Sequence, residues 1–335
     1  MKRPLKLLLA LVILGLGAAA AAAWWLQHPL QMPDAVSAEA PLEVTIAPGA
    51  SARAVAETLV DAGVQGPSVL LYAWFRLSGD SRKIKAGSYE LAPGTTPASL
   101  LSKLVRGEQA LRSLTLLEGW NIRQVLQAVR SSPDLTQDIE GLSMADLMAR
   151  IGYPGVHPEG RFFPDTYRMV KHTPASAVLR QAAQAMEQQL NAVWAQRSPD
   201  TPLRSPDEAL ILASIVEKET GLESDRAMVA GVFSNRLRIG MRLQTDPSVI
   251  YGMGERFDGN IRRSDLQTDT PYNTYTRAGL PPTPIAMPGR NSLLAAVQPA
   301  STNAMYFVAR GDGASYFSAT LEEHNAAVRR YILGR

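Results

Sequence analysis

The stretch ILASIVEKETG, residues 211–221, places two carboxyl groups, Glu217 and Glu219, in an otherwise apolar segment. As a helix it is apolar on nearly every side, which is typical of a buried helix. A carboxyl held against apolar side chains has a raised pKa, because its charged form loses hydration. An acid that keeps its proton near neutral pH can protonate a leaving oxygen, as the acid in glycosidic bond cleavage does.

An alternative interpretation of the same residues is structural. Lys218 and Arg226 are near enough in sequence to pair with carboxylates at the helix end. Helical spacing places Glu217 and Glu219 on nearly opposite sides, so the two acids face different surroundings. The pattern alone leaves an acid for catalysis and a salt bridge both open.

The boundaries of this helix are marked in the sequence. Ser205 is a good N-cap, Pro206 suits the first turn, and Glu208 completes a capping box. Gly221 suits the C-terminal stop. The spacing therefore predicts one helix that delivers both acids at its C-terminal end.

Two later segments carry polar groups suited to sugars. RLQTDPSVIYGMG contributes Gln244 and Asp246, and the Pro-rich segment 270–289 contributes Asn273 and Tyr275. Amides and phenols form hydrogen bonds to hydroxyl groups, and aromatic rings stack on pyranose faces. These residues are predicted to form a sugar-binding wall, although tyrosines in such loops equally often anchor the loop.

Composition excludes several kinds of function. The net charge of +3 is too small to argue for nucleic-acid binding. The absence of cysteine excludes disulfides, thiolate metal sites and a cysteine nucleophile. The four histidines are not at metal-ligand spacing, so neither a metal nor an organic cofactor is expected.

The N-terminus resembles a membrane anchor. The run Leu7–Leu26 carries no charge and would form about 30 Å of helix, enough to cross a bilayer. The basic segment MKRPLK precedes it, which predicts a cytoplasmic N-terminus, and Trp24 and Trp25 fall at the far interface. A cleaved signal peptide ending at the alanine run is the alternative. Both interpretations export the rest of the chain.

The remaining chain predicts an α+β protein. Residues 1–26 form the cytoplasmic tip and anchor, and 27–41 a linker rich in Pro, Ala and Gln. Residues 42–110 repeat the order strand, Pro-Gly turn and capped helix. That order resembles a small LysM-like module that binds glycan, with a purely structural subdomain as the alternative. Residues 111–335 are predicted to form a mixed α/β catalytic domain.

Separated motifs then resemble one family in the same order. They are EGRFFPDTY, IVEKETG, VFSNRLRIGMRLQTDPSVIYGMG, TPYNTYTRAGLPPTPIAMPG, AAVQPA and YFVARGDGASYFSATLEEHN. These residues are similar to the endolytic murein transglycosylase, or YceG-like, family over essentially residues 40–335.

The resemblance implies a lytic transglycosylase that cuts peptidoglycan strands between N-acetylmuramic acid and N-acetylglucosamine without adding water. The catalytic acid and base would be Glu217, supported by Glu219. Gln244, Asn273 and Tyr275 are expected to grip substrate, and Asp246 to stabilise positive charge.

The resemblance also implies a single-pass protein of the bacterial inner membrane with its catalytic domain in the periplasm. Penicillin-binding proteins are candidate partners. Two alternatives stay open: a muramidase that uses Glu217, Asp246 and water, and a catalytically silent glycan-binding scaffold.

Overall fold

The computed structural model describes residues 2–334 and contains both helices and strands, as predicted. The chain divides into two compact units. One comprises Met1–Arg112 with Met169–His172, and the other comprises Ser113–Arg168 with Thr173–Arg335. We describe them as the N-terminal unit and the C-terminal unit.

The N-terminal unit begins with one long apolar helix and continues as a small α/β fold. Its elements are α1 (Lys2–Gln27), β1 (Leu42–Ile46), α2 (Ala52–Asp61), α3 (Ser68–Leu77), β2 (Gly87–Leu91) and α4 (Pro97–Arg106). Strands β1 and β2 pair antiparallel, with Val44 opposite Tyr89. Both side chains are buried in one core with Leu59, Phe75 and Leu100.

Local sequence signals in this unit are confirmed. The Ser51 side chain caps α2, and Thr96 forms a capping box with Ser99 at the start of α4. Gly107 ends α4 with φ 73°, a left-handed conformation that glycine adopts without steric cost. These caps reproduce the predicted order of turns and helices in 42–110.

The predicted linker contains no helix or strand after α1, yet part of it is packed. Leu30 is 9% exposed and belongs to the core of the N-terminal unit. Its N–H donates to the Thr95 carbonyl at 2.8 Å, and the Gln31 carbonyl accepts from the Gln65 N–H at 2.8 Å. This segment is therefore bound to its own unit along part of its length.

The C-terminal unit is mainly helical. The elements after α4, of which residues 111–112 of β3 and 169–170 of β5 belong to the N-terminal unit, are β3 (Leu111–Thr115), α5 (Ile122–Ser131), β4 (Leu135–Thr136), α6 (Met144–Arg150), β5 (Thr166–Val170), β6 (Thr173–Pro174), α7 (Ala175–Trp194), α8 (Pro206–Glu219), α9 (Glu223–Arg238), α10 (Asp246–Met253), a 3₁₀ turn (Gly254–Arg256), α11 (Arg263–Gln267), α12 (Arg290–Val297), β7 (Tyr306–Ala309), β8 (Ser315–Ser318) and α13 (Leu321–Tyr331). Strand β3 pairs with β5, β4 with β6 in parallel, and β7 with β8 antiparallel.

Helix α8 forms the centre of this unit, in contact with α7, α9 and α12. Every residue from 209 to 216 is buried, as its all-round apolar sequence predicts. The Ser205 hydroxyl accepts from the Glu208 N–H at 3.2 Å, and the Glu208 carboxylate accepts from the Arg204 N–H at 2.7 Å.

The C-terminal end of α8 agrees with the prediction, because Thr220 is the C-cap and Gly221 is the first residue after it. The helix ends at Glu219, and Thr220 is already extended at φ −141°. The Thr220 hydroxyl accepts from the Leu222 N–H at 3.1 Å, which stabilises the exit from the helix. Gly221 therefore has no left-handed role, and both acids lie in the last helical turn.

Candidate functional site

The last turn of α8 emerges from the core, so Glu217 is only partly buried. Its Oε2 accepts a hydrogen bond from the Gly289 backbone N–H at 3.0 Å. The sequence predicts apolar surroundings for this acid. That expectation is corrected, because burial along α8 stops at Val216 and a backbone donor meets the carboxylate.

The segment that carries Gly289 is held on α8 by a buried hydroxyl. Ser214 Oγ accepts from the Ile285 N–H at 3.0 Å and donates to the Ile211 carbonyl at 2.7 Å. This contact fixes the Pro-rich segment along the helix one turn before Glu217. The backbone donor at Gly289 is therefore positioned by the helix that carries the acid.

A second carboxyl group meets the same glycine. A Cβ atom built on Gly289 would lie 1.8 Å from Glu118 Oε1. Two backbone hydrogen bonds with Met287 hold the turn that carries Glu118. The Gly119 N–H donates to the Met287 carbonyl at 2.9 Å, and the Met287 N–H donates to the Trp120 carbonyl at 2.7 Å. We name Glu118 and Glu217 around Gly289 the Gly289 pair.

The two acids of the Gly289 pair interact electrostatically. Partial loss of hydration, followed by the charge of Glu217, raises the pKa of the Glu118 carboxyl, while the charge of Arg226 opposes this. In the sequence Glu118 was recognisable only as part of a turn with Gly119. Its position beside Glu217 depends on the packing of residues far apart in the chain.

The two cations that could form salt bridges with the acids of α8, Lys218 and Arg226, bind other groups in the structure. Lys218 Nζ donates to the Gly119 carbonyl at 3.3 Å. Arg226 forms an ion pair with Glu223, its neighbour one turn earlier on α9. Lys218 therefore binds the same turn that carries Glu118.

Glu219 lies on the other side of α8 in a cleft of about 390 Å³. The lining residues are Glu219, Arg236, Gln244, Asp246, Tyr275, Tyr306, Phe307, Leu321 and His324. We name this space the Glu219 cleft. It brings together four residues predicted from the sequence: Glu219, Gln244, Asp246 and Tyr275.

The pKa of Glu219 is raised to about 7. Burial is the main cause, the charge of Asp246 adds to it, and the hydrogen bond from the Thr245 hydroxyl opposes it. Thr245 Oγ1 donates directly to Glu219 Oε1. Tyr275 donates its phenolic proton to Asp246 Oδ1 at 2.6 Å. The cleft thus holds an acid that keeps its proton near neutral pH beside a hydrogen-bonded carboxylate.

The loop before α10 is shaped around this cleft. Gln244 has φ 50°, an uncommon left-handed conformation for a residue with a side chain, and its side chain is exposed. Behind it, Thr245 N–H donates to Thr274 Oγ1 at 3.0 Å, and the Ser248 hydroxyl donates to the Thr245 carbonyl at 2.9 Å. Buried hydroxyl groups therefore support the strained residue at the cleft wall.

Asn273 does not join the cleft. It is fully buried, and its side-chain amide donates to the carbonyls of Asp265, Leu266 and Thr268 at 3.2, 3.0 and 2.7 Å. The expectation that it grips substrate is corrected: its hydrogen-bonding groups organise the loop after α11. A buried amide is more stable when it is satisfied by neighbouring backbone.

Arg236 and His324 line the cleft, and neither was singled out from the sequence as a site residue. Arg236 is held by the Met305 carbonyl, which accepts from Nε at 2.8 Å. The His324 ring stacks on Tyr306 at 5.3 Å between centroids, and its Nδ1 is buried without a hydrogen-bond partner. Their positions depend on α13 and β7, which come late in the chain.

A further acid, fully buried, lies in the EGRFFPDTY motif. Glu159 is 0% exposed and accepts from the Ile122 N–H at 3.0 Å and the Tyr251 hydroxyl at 2.9 Å. Burial raises the pKa of Glu159 to about 7, against the lowering effect of these hydrogen bonds. Because Ile122 begins α5, the carboxyl caps that helix, which is a structural role.

Within residues 2–334, no group of three or more His, Asp or Glu side chains is arranged to hold a metal ion. One helix in that range, Leu8–Gln27, is long and apolar enough to cross a membrane, with mean hydropathy 2.1.

The family model described as the YceG-like family matches residues 44–330. A Bacillus subtilis (strain 168) protein named endolytic murein transglycosylase is 31% identical over 310 residues, which are 87% of this chain and 85% of that protein. A Streptococcus pneumoniae (strain D39) protein of the same name is 26% identical over 328 residues. The match covers 86% of this chain and 58% of the pneumococcal protein.

A solved structure shares the fold. The crystal structure of a yceG-like protein from Listeria monocytogenes matches with a TM-score of 0.55 and 30% sequence identity. The match covers 86% of this chain and 99% of the Listeria chain.

Proposed function

The chain belongs to the YceG-like family, and we propose that it is an endolytic murein transglycosylase with peptidoglycan as its substrate. The Bacillus relative that bears this name matches most of both chains, which supports the same activity here. We further propose that Glu217 is the acid and base and that the product ends in 1,6-anhydromuramic acid.

One observation carries the assignment of Glu217. Its carboxyl lies at the end of a helix that is otherwise buried, where it accepts from the Gly289 N–H and neighbours Glu118. The backbone donor orients the carboxyl, and the partial exposure leaves it accessible to a glycan. Glu118, with its raised pKa, keeps its proton to higher pH than an isolated glutamic acid and can donate a hydrogen bond.

The proposed reaction needs one acid and no water. Protonated Glu217 donates its proton to the glycosidic oxygen as the bond from that oxygen to the muramyl anomeric carbon breaks. The muramyl 6-hydroxyl oxygen then bonds to that carbon, and the Glu217 carboxylate takes the hydroxyl proton. The nucleophile belongs to the substrate, so the ring closure benefits from proximity. Atoms balance, and the acid is regenerated.

The Glu219 cleft would serve substrate binding in this scheme. Gln244 presents an exposed amide, and the Tyr275–Asp246 hydrogen bond presents a fixed phenol and carboxylate. Such groups suit the hydroxyl and acetamido groups of a glycan. Protonated Glu219 would limit the negative charge of this wall, because Asp246 lies beside it.

Mass spectrometry of the muropeptides released from isolated sacculi tests the proposal, with the wild type compared with Glu217→Gln. We expect anhydro products from the wild type and almost none from the variant. A product heavier by one water would make the protein a muramidase. Equal release of muropeptides by both proteins would show that Glu217 is not the catalytic acid. Release of muropeptides by neither protein would favour the glycan-binding scaffold.

We also propose that α1 anchors the chain in the inner membrane, with the N-terminus cytoplasmic and the catalytic unit periplasmic. The apolar run Leu8–Gln27 and the basic residues before it support this topology. Glycan binding by residues 42–110 and contact with penicillin-binding proteins remain predictions. Co-sedimentation with sacculi and crosslinking in membranes would test each of them.

A further inference from the structure

Helix α3 of the N-terminal unit has an apolar face that the unit does not cover. Leu71 and Phe75 point into the core and are 3% and 0% exposed. On the other side Val69, Leu70 and Leu77 are 62%, 48% and 85% exposed. Scattered exposed apolar residues need no explanation, but a contiguous apolar face on one helix indicates a binding surface.

This face continues into the end of α1. The two helices border an apolar groove of about 500 Å³. Its walls are Ala21, Ala22, Trp24, Trp25 and Leu26 from α1, and Leu70, Ala73, Trp74 and Leu77 from α3.

The groove is fixed within its unit. Trp25 packs against the core of the N-terminal unit, and Trp74 Nε1 donates to the Pro97 carbonyl at 3.2 Å. The exposed side of α3 is therefore held at the level of the last turn of α1. If α1 spans the bilayer as proposed above, that level is the outer interface of the membrane.

We propose that the outer face of α3 lies in the outer interface of the bilayer and that lipid acyl chains fill the groove between α1 and α3. The inference rests on the proposed anchoring by α1. An exposed apolar helix face beside a membrane-spanning segment is suited to contact with lipid.

Lipid is the occupant that the position favours, because the groove is continuous with the span Leu8–Gln27, in which no residue is buried. Trp24 and Trp74 are amphipathic rings of the kind enriched at membrane interfaces. Arg76 is exposed on the same helix, and its long side chain can reach headgroups while its methylenes stay in the apolar layer. The N-terminal unit would then rest on the membrane instead of hanging from α1 alone.

The chain contains no cysteine, so a single cysteine can be introduced for labelling without first replacing native cysteines. The test uses full-length protein in phosphatidylethanolamine–phosphatidylglycerol vesicles, with a nitroxide attached to Leu77→Cys. Collision rates with oxygen, which partitions into lipid, and with a water-soluble nickel chelate are measured by electron paramagnetic resonance. Glu57→Cys on α2 is the aqueous control, and Leu14→Cys reports the insertion of α1.

We expect the oxygen-to-nickel ratio at Leu77→Cys to be severalfold above that at Glu57→Cys and closer to that at Leu14→Cys. A ratio equal to that at Glu57→Cys, with Leu14→Cys in lipid, would overturn the inference while leaving the anchor intact. Low collision rates with both reagents, or spin–spin broadening, would mean a protein occupant and would also overturn it. An aqueous Leu14→Cys would remove the anchor and this inference together. Leu70→Cys repeats the measurement at a second position.

Discussion

The Gly289 pair and the Glu219 cleft each contain one acid from the last turn of α8, two residues apart, but they surround its carboxyl group differently. Glu217 accepts from a backbone N–H and neighbours a second acid near solvent. Glu219 accepts a hydrogen bond from a hydroxyl group beside an adjacent carboxylate, and burial raises its pKa to about 7. A separation of about 200° around the helix decides between these environments.

Two properties expected of one catalytic acid, an oriented carboxyl group and a pKa raised by burial, occur in different regions of the structure. From the sequence, the catalytic acid is expected to be the one whose pKa is raised most by burial. In the structure both acids are partly exposed, the backbone donor that orients a carboxyl belongs to the Gly289 pair, and strong desolvation belongs to the Glu219 cleft. Each region can therefore be tested by a change that leaves the other in place.

The largest effect is expected from the same substitution made at each acid. Glu217→Gln should lower the turnover of sacculi by about 10²–10⁴, the range that general acid–base groups contribute. Glu219→Gln should lower it by less than about tenfold, because it keeps a neutral hydrogen-bonding group. Turnover numbers measured side by side decide this. If the second variant lost as much as the first, the catalytic role would pass to Glu219.

A methyl group at Gly289 should disturb the Gly289 pair alone. Residue 289 has φ −76°, which alanine adopts freely, but its Cβ would lie 1.8 Å from Glu118 Oε1. The Glu118 side chain must move away, so we expect Gly289→Ala to lower kcat by roughly tenfold with little change in the urea midpoint.

Gly221→Ala is the matched control, since a Cβ there meets nothing within 4 Å and Gly221 has no positive φ. Unchanged kcat in Gly289→Ala would remove Glu118 from the reaction. Unfolding of Gly289→Ala would show that the glycine is structural, and Glu118→Gln would then report on the acid directly.

The pH dependence of substrate binding should sharpen the role of the Glu219 cleft. With its pKa near 7, Glu219 is mostly neutral at pH 6 and mostly charged at pH 8. We expect KM to rise severalfold over this range in the wild type, because two adjacent charges then repel, and to stay flat in Glu219→Gln. An identical rise in the variant would assign the titration to another group.

The smallest effect concerns stability and uses Glu159 as a buried acid with a structural role. Its pKa is raised from 4.5 to about 7 by burial in the folded chain. Stability from this group is complete below pH 4.5 and is lost as pH rises through 7, by at most about 3 kcal/mol. Urea midpoints at pH 5 and pH 8 should differ less in Glu159→Gln than in the wild type. The exposed Glu57→Gln is the control, and equal slopes in all three proteins would contradict the prediction.

Much of the local structure followed from short-range signals. Ser205 caps α8 as predicted, capped helices follow the turns in 42–110, and the apolar segment before Glu217 forms the central buried helix. Gly221 follows the C-cap of α8 as predicted, but without a positive φ, because the helix ends through the extended conformation of Thr220. Such endings depend on hydrogen bonds after the helix, which a propensity argument does not include.

The sequence predicted which kinds of residue the site contains better than it predicted where each side chain lies. Gln244, Asp246 and Tyr275 were expected together with Glu219 and line one cleft with it. Asn273, in the same motif, is turned inward to three backbone carbonyls. A polar residue in a loop can face substrate or satisfy the loop, and only the path of the backbone distinguishes the two.

The sequence alone determined the long apolar N-terminal helix, the buried helix α8, the presence of two acids at its end and the resemblance to one family. These follow from composition, helical periodicity and capping, which act over a few residues. Tertiary structure decided which acid meets Gly289, which enters the cleft, and that Glu118 joins Glu217 from a turn about a hundred residues earlier. Desolvation and the placement of backbone donors depend on neighbours distant in the chain, so no local pattern contains them.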